Sequence, residues 1–162
     1  MTVPTIQVPQ KGKTAPDFTL LTDTGESLKL SSLRGRPVVL FFYPKDNTPA
    51  CTLEACALRD VFPQFDNANA VILGISPDSV RKHKGFRERF KLPYNLLADT
   101  DHVIAEQYGV WGQKTFWGRK YMGVLRTTFV IDAKGKIADV FEKVSVLGHA
   151  AEVMAAVAAL KG

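Results

Sequence analysis

The sequence predicts an α/β protein in which helices flank a central mixed β-sheet. Residues 37–43 and 70–76 are apolar runs, rich in β-branched and aromatic side chains, typical of strands covered on both faces. A helical pattern follows each run, and a hairpin and a helix close the chain. The length of 162 residues fits one domain over residues 1–162, since no internal repeat or linker divides it.

The first part of the chain predicts a loose arm followed by a β-hairpin. Residues 1–13 carry two prolines and a glycine, and we expect them to form a flexible arm. Asp17–Leu20 and Ser27–Leu30 are short strand candidates on either side of the turn signal Asp23-Thr24-Gly25-Glu26. Ser31 or Ser32 is expected to cap a short turn that leads to Gly35.

The middle of the chain predicts two strand–helix units. The strand at 37–43 leads to a helix from Pro49 to about Asn67, with Thr48 as N-cap and Pro49 as first residue. Pro63 predicts a kink or a break within that span. After the strand at 70–76, Pro77-Asp78-Ser79 predicts the start of a helix that ends near Phe90.

The remaining pattern predicts shorter elements. They are a strand at 94–99, a helix at 102–108 stopped by Gly109, an ordered loop at 111–123, a hairpin of 127–132 with 136–141, and a helix at 149–160. Val153, Val157 and Leu160 share one side of the last helix, which predicts that this side packs inward.

Composition and charge narrow the class of protein. No apolar run approaches the ~18 residues of a membrane span, and residues 1–13 lack a signal-peptide core. We therefore expect a cytoplasmic protein with no membrane partner, in which two close cysteines indicate redox or metal chemistry. The net charge is +5, and residues 81–91 are strongly basic. This segment fits a nucleic-acid patch or, as we prefer, an amphipathic helix with Phe86 and Phe90 facing inward.

Both cysteines lie in the predicted helix that follows the first long strand. Cys51 is its third residue, where unpaired N–H groups and the helix dipole favour an anion and hence a reactive thiolate. The alternative is a buried, inert cysteine that acts as a small hydrophobic residue.

Cys56 has two conventional explanations that fit poorly. A zinc site needs two more ligands, and the three histidines are scattered along the chain. A disulfide with Cys51 needs Cα atoms within ~7 Å, whereas residues five apart in a helix are separated by ~8.6 Å and point ~140° apart. If the two cysteines react, that part of the helix must unwind first.

A peroxide is a suitable substrate for such a thiolate. Ionisation alone raises the thiolate concentration only ~30-fold, so fast chemistry also needs groups that stabilise the breaking O–O bond. Thr48 supplies a hydroxyl, and Pro44 can shape the turn and exclude water. Attack would give a sulfenic acid on Cys51, which condenses with the Cys56 thiol.

The residues at this turn resemble a known family. Pro44-x3-Thr48-x2-Cys51 is similar to the active-site motif of peroxiredoxins, and Cys56 five residues later resembles the atypical 2-Cys subgroup called PrxQ or bacterioferritin comigratory protein. The likeness runs from about Ala15 to Leu160. It includes residues 42–46, 74–76, 97–99, 108–112 and 121–132. Ala50 departs from the glycine that is frequent in the family, and the alanine is expected to affect how easily the first turn unwinds.

The resemblance implies a thioredoxin-like fold and reduction of hydrogen peroxide and organic hydroperoxides. It implies no metal, no organic cofactor and a monomer, with a thioredoxin- or glutaredoxin-type protein as reductant. Cys51 is implied as the peroxidatic residue and Cys56 as the resolving residue, which form a redox-active disulfide. Pro44, Thr48 and Arg126 are implied as the shell of the peroxide site.

The resemblance assigns further residues less directly. Glu54 is expected to orient Arg126, the alternative being an ordinary acid in the first turn of a helix. Trp111, Phe116 and Trp117 line the pocket mouth or pack in the core. Two other functions stay open. The first is a thiol-disulfide oxidoreductase or redox sensor, and the absence of a C-x-x-C motif argues against it. The second is a basic nucleic-acid-associated protein, which we do not expect.

Overall fold

The computed structural model describes residues 7–160, and these residues form the predicted α/β arrangement. The strands are β1 (Thr19–Thr22), β2 (Ser27–Lys29), β3 (Val38–Phe42), β4 (Val71–Ser76), β5 (Asn95–Ala98), β6 (Trp111–Phe116), β7 (Arg119–Val124), β8 (Thr127–Ile131) and β9 (Ile137–Phe141). The helices are α1 (Pro49–Asp60), α2 (Phe62–Asn67), α3 (Val80–Phe90), α4 (Val103–Gln107) and α5 (His149–Ala158), with a 3-10 turn at Leu30–Leu33. None of the helices within 7–160 is long and apolar enough to cross a membrane.

Seven strands form one mixed sheet in the order β2-β1-β5-β4-β3-β8-β9. The pairs β3–β4 and β4–β5 are parallel, whereas β1–β2, β1–β5, β3–β8 and β8–β9 are antiparallel. The predicted mixed sheet and the N-terminal hairpin of β1 and β2 are therefore confirmed. Parallel pairing of β3 with β4 brings their carboxyl ends to the same edge, where the turn before α1 begins.

Strand β3 lies at the centre of the core because both of its faces are apolar. Leu40 and Phe42 face one hydrophobic cluster, and Val39, Phe41 and Tyr43 face the other. Each of these side chains is at most 1% exposed, as the continuous apolar run predicts. Truncating one of the buried phenylalanines would cost about 3–5 kcal/mol. This rigid strand fixes the position of the turn that follows it.

The predicted break in the first long helix is confirmed. Helix α1 ends at Asp60, Val61 is non-helical in φ and ψ, and α2 starts with Pro63 in its first two positions. Helix α3 also begins and ends as predicted. The Ser79 Oγ caps it by accepting a hydrogen bond from the Lys82 N–H (3.2 Å), and Lys91 ends it with a φ of 52°.

The prediction of a loop at residues 111–123 is wrong. This segment forms a two-stranded sheet of β6 and β7, paired in register from Trp111 with Val124 to Phe116 with Arg119. Trp117 and Gly118 both have positive φ (52° and 74°), which is the geometry of a tight hairpin turn. Interspersed glycines and aromatic residues obscured the period-two alternation in the sequence.

The expected N-terminal arm falls partly within the described residues. Residues 1–6 lie outside them. Nearer the fold, the Gly12 N–H donates to the Ile137 carbonyl oxygen (2.9 Å), and the Ile137 N–H donates to the Lys13 carbonyl oxygen (2.8 Å). The end of the segment predicted as an arm is thus hydrogen-bonded to the closing hairpin of β8 and β9.

Candidate active site

The turn between β3 and α1 presents Cys51 at the start of a helix. Thr48 is the N-cap residue with extended backbone (φ −79°, ψ 152°), and Pro49 is the first helical residue, as predicted. Pro49 has no N–H, and the N–H groups of Ala50 and Cys51 belong to the first turn, where a helix offers no acceptor. The first intrahelical bond runs from the Thr52 N–H to the Thr48 carbonyl oxygen (2.9 Å). Unused donors therefore surround the backbone of Cys51.

The Thr48 side chain does not cap α1. Its hydroxyl donates to the Lys45 carbonyl oxygen across the turn at 2.9 Å. Because the hydroxyl proton is used in this way, the lone pairs of Oγ1 remain available to accept a hydrogen bond. Pro44 lies half-buried in the same turn, next to the fully buried Tyr43.

Arg126 contacts Cys51 directly, although the two residues are 75 positions apart in the chain. Its Nη2 donates to the Cys51 Sγ at 3.2 Å. Arg126 links β7 to β8, and the pairing of Thr127 with Phe42 places it beside the end of β3. Cys51 is only 2% exposed. A nearly buried thiol thus receives a guanidinium hydrogen bond and faces the positive end of a helix dipole.

Glu54 holds the other side of the same guanidinium. Its Oε1 accepts from the Arg126 Nη1 at 2.6 Å, as the orienting role predicts, and the residue belongs to the second turn of α1 rather than the first. Burial raises the pKa of Glu54 to about 7, against the opposing effect of Arg126. Burial lowers the pKa of Arg126, but Glu54 and Cys51 outweigh it and that pKa is raised. The fork of Arg126 is therefore fixed at both ends by acidic groups.

Behind Glu54 lie two polar residues that the sequence did not indicate. The Glu54 Oε2 has no hydrogen-bond partner among residues 7–160, and the His149 Nε2 lies 4.0 Å from it. His149 Nε2 lies 2.9 Å from the Thr128 Oγ1. Burial, together with Arg126, lowers the pKa of His149, while Glu152 acts in the opposite direction. An isolated histidine at a helix start carries no sequence signal for this contact.

Cys56 also lies on α1 and is half-buried. Both cysteines are free thiols within one continuous helix, Pro49–Asp60. Ideal helix geometry puts their Cα atoms ~8.6 Å apart, beyond the reach of a disulfide. The structure therefore describes a reduced form in which the two sulfurs are held apart.

The β6–β7 hairpin brings Lys114 to the site, a residue that the sequence analysis missed. Burial and the nearby Arg126 lower the pKa of Lys114, whereas Cys51 raises it. Its Nζ donates to the Val124 carbonyl oxygen at 3.1 Å. An alternation of polar and apolar residues would have predicted the strand that carries Lys114, but the glycines of the hairpin interrupt this alternation.

The three aromatic residues of this hairpin differ in their surroundings. Trp111 is half-buried and stacks on His102 with ring centroids 3.9 Å apart. Phe116 and Trp117 are 63% and 88% exposed, so neither packs in the core. The basic helix α3, in contrast, turns Phe86 and Phe90 toward the core, as its amphipathic interpretation predicts.

Comparisons with known proteins identify the family of the chain. The profile of the AhpC/TSA family matches residues 11–140. A putative peroxiredoxin of Coxiella burnetii is 53% identical over 88% of this chain and 95% of its own. The peroxiredoxin Bcp of Bacillus subtilis is 47% identical over 93% of this chain and 94% of its own.

Solved structures show the same fold. The bacterioferritin comigratory protein of Xanthomonas campestris superposes with a TM-score of 0.86 and 33% identity, over 93% of this chain and 98% of its own. Peroxidoxin BcpB of Mycobacterium tuberculosis superposes with a TM-score of 0.84 and 41% identity, over 95% and 99% of the two chains. The fold is thus the thioredoxin-like fold of these proteins. The chain belongs to the AhpC/TSA family and is a peroxiredoxin, a thiol peroxidase enzyme, of the group that includes the Bcp and PrxQ proteins.

Proposed function

We propose that this chain reduces hydrogen peroxide and organic hydroperoxides with Cys51 as the peroxidatic residue and Cys56 as the resolving residue. The observation that carries the proposal is the contact of Arg126 with the Cys51 Sγ, 3.2 Å away at the start of α1. A structural thiol in a core needs no guanidinium, whereas a thiolate that attacks an O–O bond needs a fixed cation beside it.

The first step transfers one oxygen atom to sulfur. The Cys51 thiolate attacks one peroxide oxygen, the O–O bond breaks, and the other oxygen leaves as hydroxide or alkoxide and takes a proton to become water or an alcohol. Arg126 and the first-turn N–H groups stabilise the charge on the reacting oxygens. Thr48 Oγ1 accepts the hydrogen bond of the peroxide O–H, and Pro44 shields the thiolate from water. Cys51 becomes a sulfenic acid.

The second step forms the disulfide. The Cys56 thiol attacks the sulfur of the Cys51 sulfenic acid, and the S–OH oxygen leaves as water. The helical separation of ~8.6 Å requires that the first turns of α1 unwind before this reaction. Glu54 lies between the two cysteines and leaves its buried position in the same movement. Orienting Arg126 is thus a role that Glu54 fulfils only in the folded helix.

The third step returns the enzyme to its reduced form. A thioredoxin- or glutaredoxin-type dithiol protein reduces the Cys51–Cys56 disulfide and is itself oxidised. Thiols supply both electrons, so the cycle requires no organic cofactor and no metal.

We propose that the chain acts as a cytoplasmic monomer with a single domain over residues 1–162, without nucleic-acid or membrane partners. Phe116 and Trp117 are exposed on the β6–β7 hairpin, which also carries Lys114, and we propose that they contact the apolar substituent of an organic hydroperoxide.

Two cysteine variants test the scheme in stopped-flow mixing with hydrogen peroxide, followed by mass mapping of the products. Cys51→Ser should consume no peroxide. Cys56→Ser should undergo one oxidation, to a sulfenic acid that a dimedone probe captures, and then fail to recycle with thioredoxin. Normal thioredoxin-dependent cycling of Cys56→Ser would contradict the intramolecular disulfide. Fast disulfide exchange with proteins and slow peroxide consumption by the wild type would favour a thiol-disulfide oxidoreductase instead.

A further inference from the structure

A buried polar network lies directly behind the turn that carries the peroxide site. The Tyr43 hydroxyl donates to the Asp46 Oδ1 at 2.5 Å, and the Asp46 Oδ2 lies 2.7 Å from the His83 Nδ1. Tyr43, Asp46 and His83 are 1%, 5% and 0% exposed. None of them takes part in the proposed reaction, and three buried polar side chains in one contact need a physical explanation.

The network shares one proton between Asp46 and His83. The His83 Nε2 lies 2.9 Å from the Leu97 carbonyl oxygen, which only accepts hydrogen bonds, so Nε2 carries a hydrogen. A short contact between Nδ1 and Oδ2 then needs a second proton on one of these two atoms. The pair is either imidazolium with carboxylate or imidazole with carboxylic acid, and it is neutral overall in both forms. It thus joins the turn to α3 and β5 without leaving an uncompensated buried charge.

The backbone of the turn is held by a second set of bonds. The Asp46 N–H donates to the Asp78 Oδ2 at 2.8 Å, and the Ser76 hydroxyl donates to the same oxygen at 2.6 Å. Asp46 is therefore fixed through its side chain and its main chain to the ends of β4 and α3. The next residue, Asn47, has a φ of 64°, a left-handed conformation that asparagine tolerates in tight turns.

A metal ion does not explain the cluster of Asp46, Asp78 and His83. Their ligand atoms lie within 4.8 Å of one another, which is close enough to consider an ion. However, His83 uses both nitrogens, both oxygens of Asp46 have protein partners, and the Asp78 Oδ2 accepts two hydrogen bonds. The atoms of Asp46 and His83 that could bind an ion are thus occupied by protein partners, and we interpret the network as a mechanical one.

We propose that Asp46, His83 and Tyr43 are positioning residues that hold the turn at 43–48 in one place through the redox cycle. This inference rests on the proposed function, because that cycle unwinds the helix immediately after the turn. All three residues lie outside α1 and keep their partners when Cys51 and Glu54 move. The turn is the fixed end from which the helix unwinds, and it returns Thr48 and the first-turn N–H groups to the peroxide-binding geometry.

Asp46 substitutions separate positioning from charge. Asp46→Asn keeps both contacts, since its oxygen accepts from Tyr43 and its amide donates to a neutral His83 Nδ1. Asp46→Ala removes both. In a Cys56→Ser background, which isolates the first step, we expect Asp46→Ala to slow Cys51 oxidation by roughly ten- to a hundredfold. Asp46→Asn should remain within about threefold, because hydrogen-bond geometry rather than ionisation holds the turn.

A matched control distinguishes positioning from lost stability. Tyr108 is another buried tyrosine, and its hydroxyl donates to the Pro16 carbonyl oxygen away from Cys51. Tyr43→Phe and Tyr108→Phe each remove a hydroxyl that donates a short hydrogen bond, so both should lower the urea-measured unfolding free energy by about 1–3 kcal/mol. Only Tyr43→Phe should slow Cys51 oxidation, by several-fold. Equal oxidation rates in the two variants, measured where both are folded, would overturn the proposal.

Amide exchange tests the fixed turn without any substitution. In wild-type protein, the Asp46 N–H should stay protected in both the reduced and the disulfide form, while residues 50–58 lose protection on oxidation. Loss of Asp46 protection in the disulfide form would show that the turn moves with the helix and would refute the proposal. Failure of the proposed function is separate: the wild type would then form no sulfenic acid, whatever the protection of Asp46.

Discussion

Replacing Glu54 by glutamine tests whether the buried carboxyl controls the unwinding of α1. Glu54 is 1% exposed in the folded helix and lies near Arg126, His149 and Tyr94. Burial raises its pKa from 4.5 to about 7, and unwinding returns the side chain to water and to the lower value. Glutamine keeps an oxygen for Arg126 but has no proton to release. The variant therefore removes the titration and leaves the shape nearly unchanged.

The size of the pH effect on unwinding follows from the pKa of Glu54 in the folded helix and its pKa in the unwound chain. A group whose pKa is raised by folding stabilises the folded helix most at low pH, and this stabilisation is lost as the pH rises from 4.5 through about 7. The difference between these two pKa values means that ionisation of Glu54 at high pH favours the unwound helix by roughly 3 kcal/mol. If unwinding precedes disulfide formation, the rate of disulfide formation should rise by about fifty- to a hundredfold between pH 5 and pH 8 because of Glu54 alone.

The assay must remove the titration of Cys56, which also affects disulfide formation. The measured quantity is therefore the ratio of the disulfide-forming rates of wild type and Glu54→Gln at each pH, obtained by acid quench and mass analysis. This ratio should rise with pH and level off near pH 8. Asp60→Asn, an exposed acid on the same helix, is the matched control and should give a flat ratio. A pH-independent ratio for Glu54→Gln would refute the link between its burial and the unwinding.

Three further substitutions test the peroxide site, the helix start and the core. Arg126→Met should slow Cys51 oxidation in stopped flow by about a hundred- to a thousandfold, and Arg126→Lys should restore only part of it because lysine lacks the planar fork. Ala50→Gly should speed disulfide formation by about two- to fivefold and leave peroxide oxidation unchanged, since glycine weakens a helix by roughly 0.5–1 kcal/mol; slower disulfide formation would contradict this. Gly74→Ala should lower the unfolding free energy in urea by about 1–3 kcal/mol, because its new methyl would lie 2.8 Å from the Phe41 Cζ. Gly85→Ala, whose methyl meets nothing within 4 Å in a helix, is the control and should be neutral or stabilising.

Local signals in the sequence predicted the elements around Cys51. The apolar run at 37–43 predicts β3 because a strand buried on both faces needs no polar alternation. Thr48 followed by Pro49 predicts the helix start, since both residues have strong backbone preferences at those positions. These signals act over a few residues, so they can be recognised before the fold is known.

The contacts that complete the site depend on tertiary structure. Arg126 reaches Cys51 because β8 pairs with β3, and without the family resemblance this arginine is one of many charges near a strand. His83 lies on a basic helix whose pattern indicates only an inward apolar face. Its contact with Asp46 spans 37 residues and requires α3 to pack over the end of β3. No local preference encodes a pairing of this kind.

In the proposed cycle, the contacts of Cys51 and Glu54 with Arg126 would make the peroxide-ready form and the disulfide form exclude each other. The proposed unwinding of the start of α1 would withdraw Cys51 and Glu54 from Arg126 and would strain the bond from the Tyr94 hydroxyl to the Ala55 carbonyl oxygen (2.7 Å). On this proposal, the bonds that assemble the peroxide site are also those that delay the reaction of Cys56 with the sulfenic acid. Strengthening them would speed the first step and prolong the sulfenic acid, which exposes it to further oxidation. The Glu54 carboxyl, with a pKa of about 7, would weaken the folded start of α1 as the pH rises, so the proposed mechanism predicts that the balance between the two steps depends on pH near neutrality.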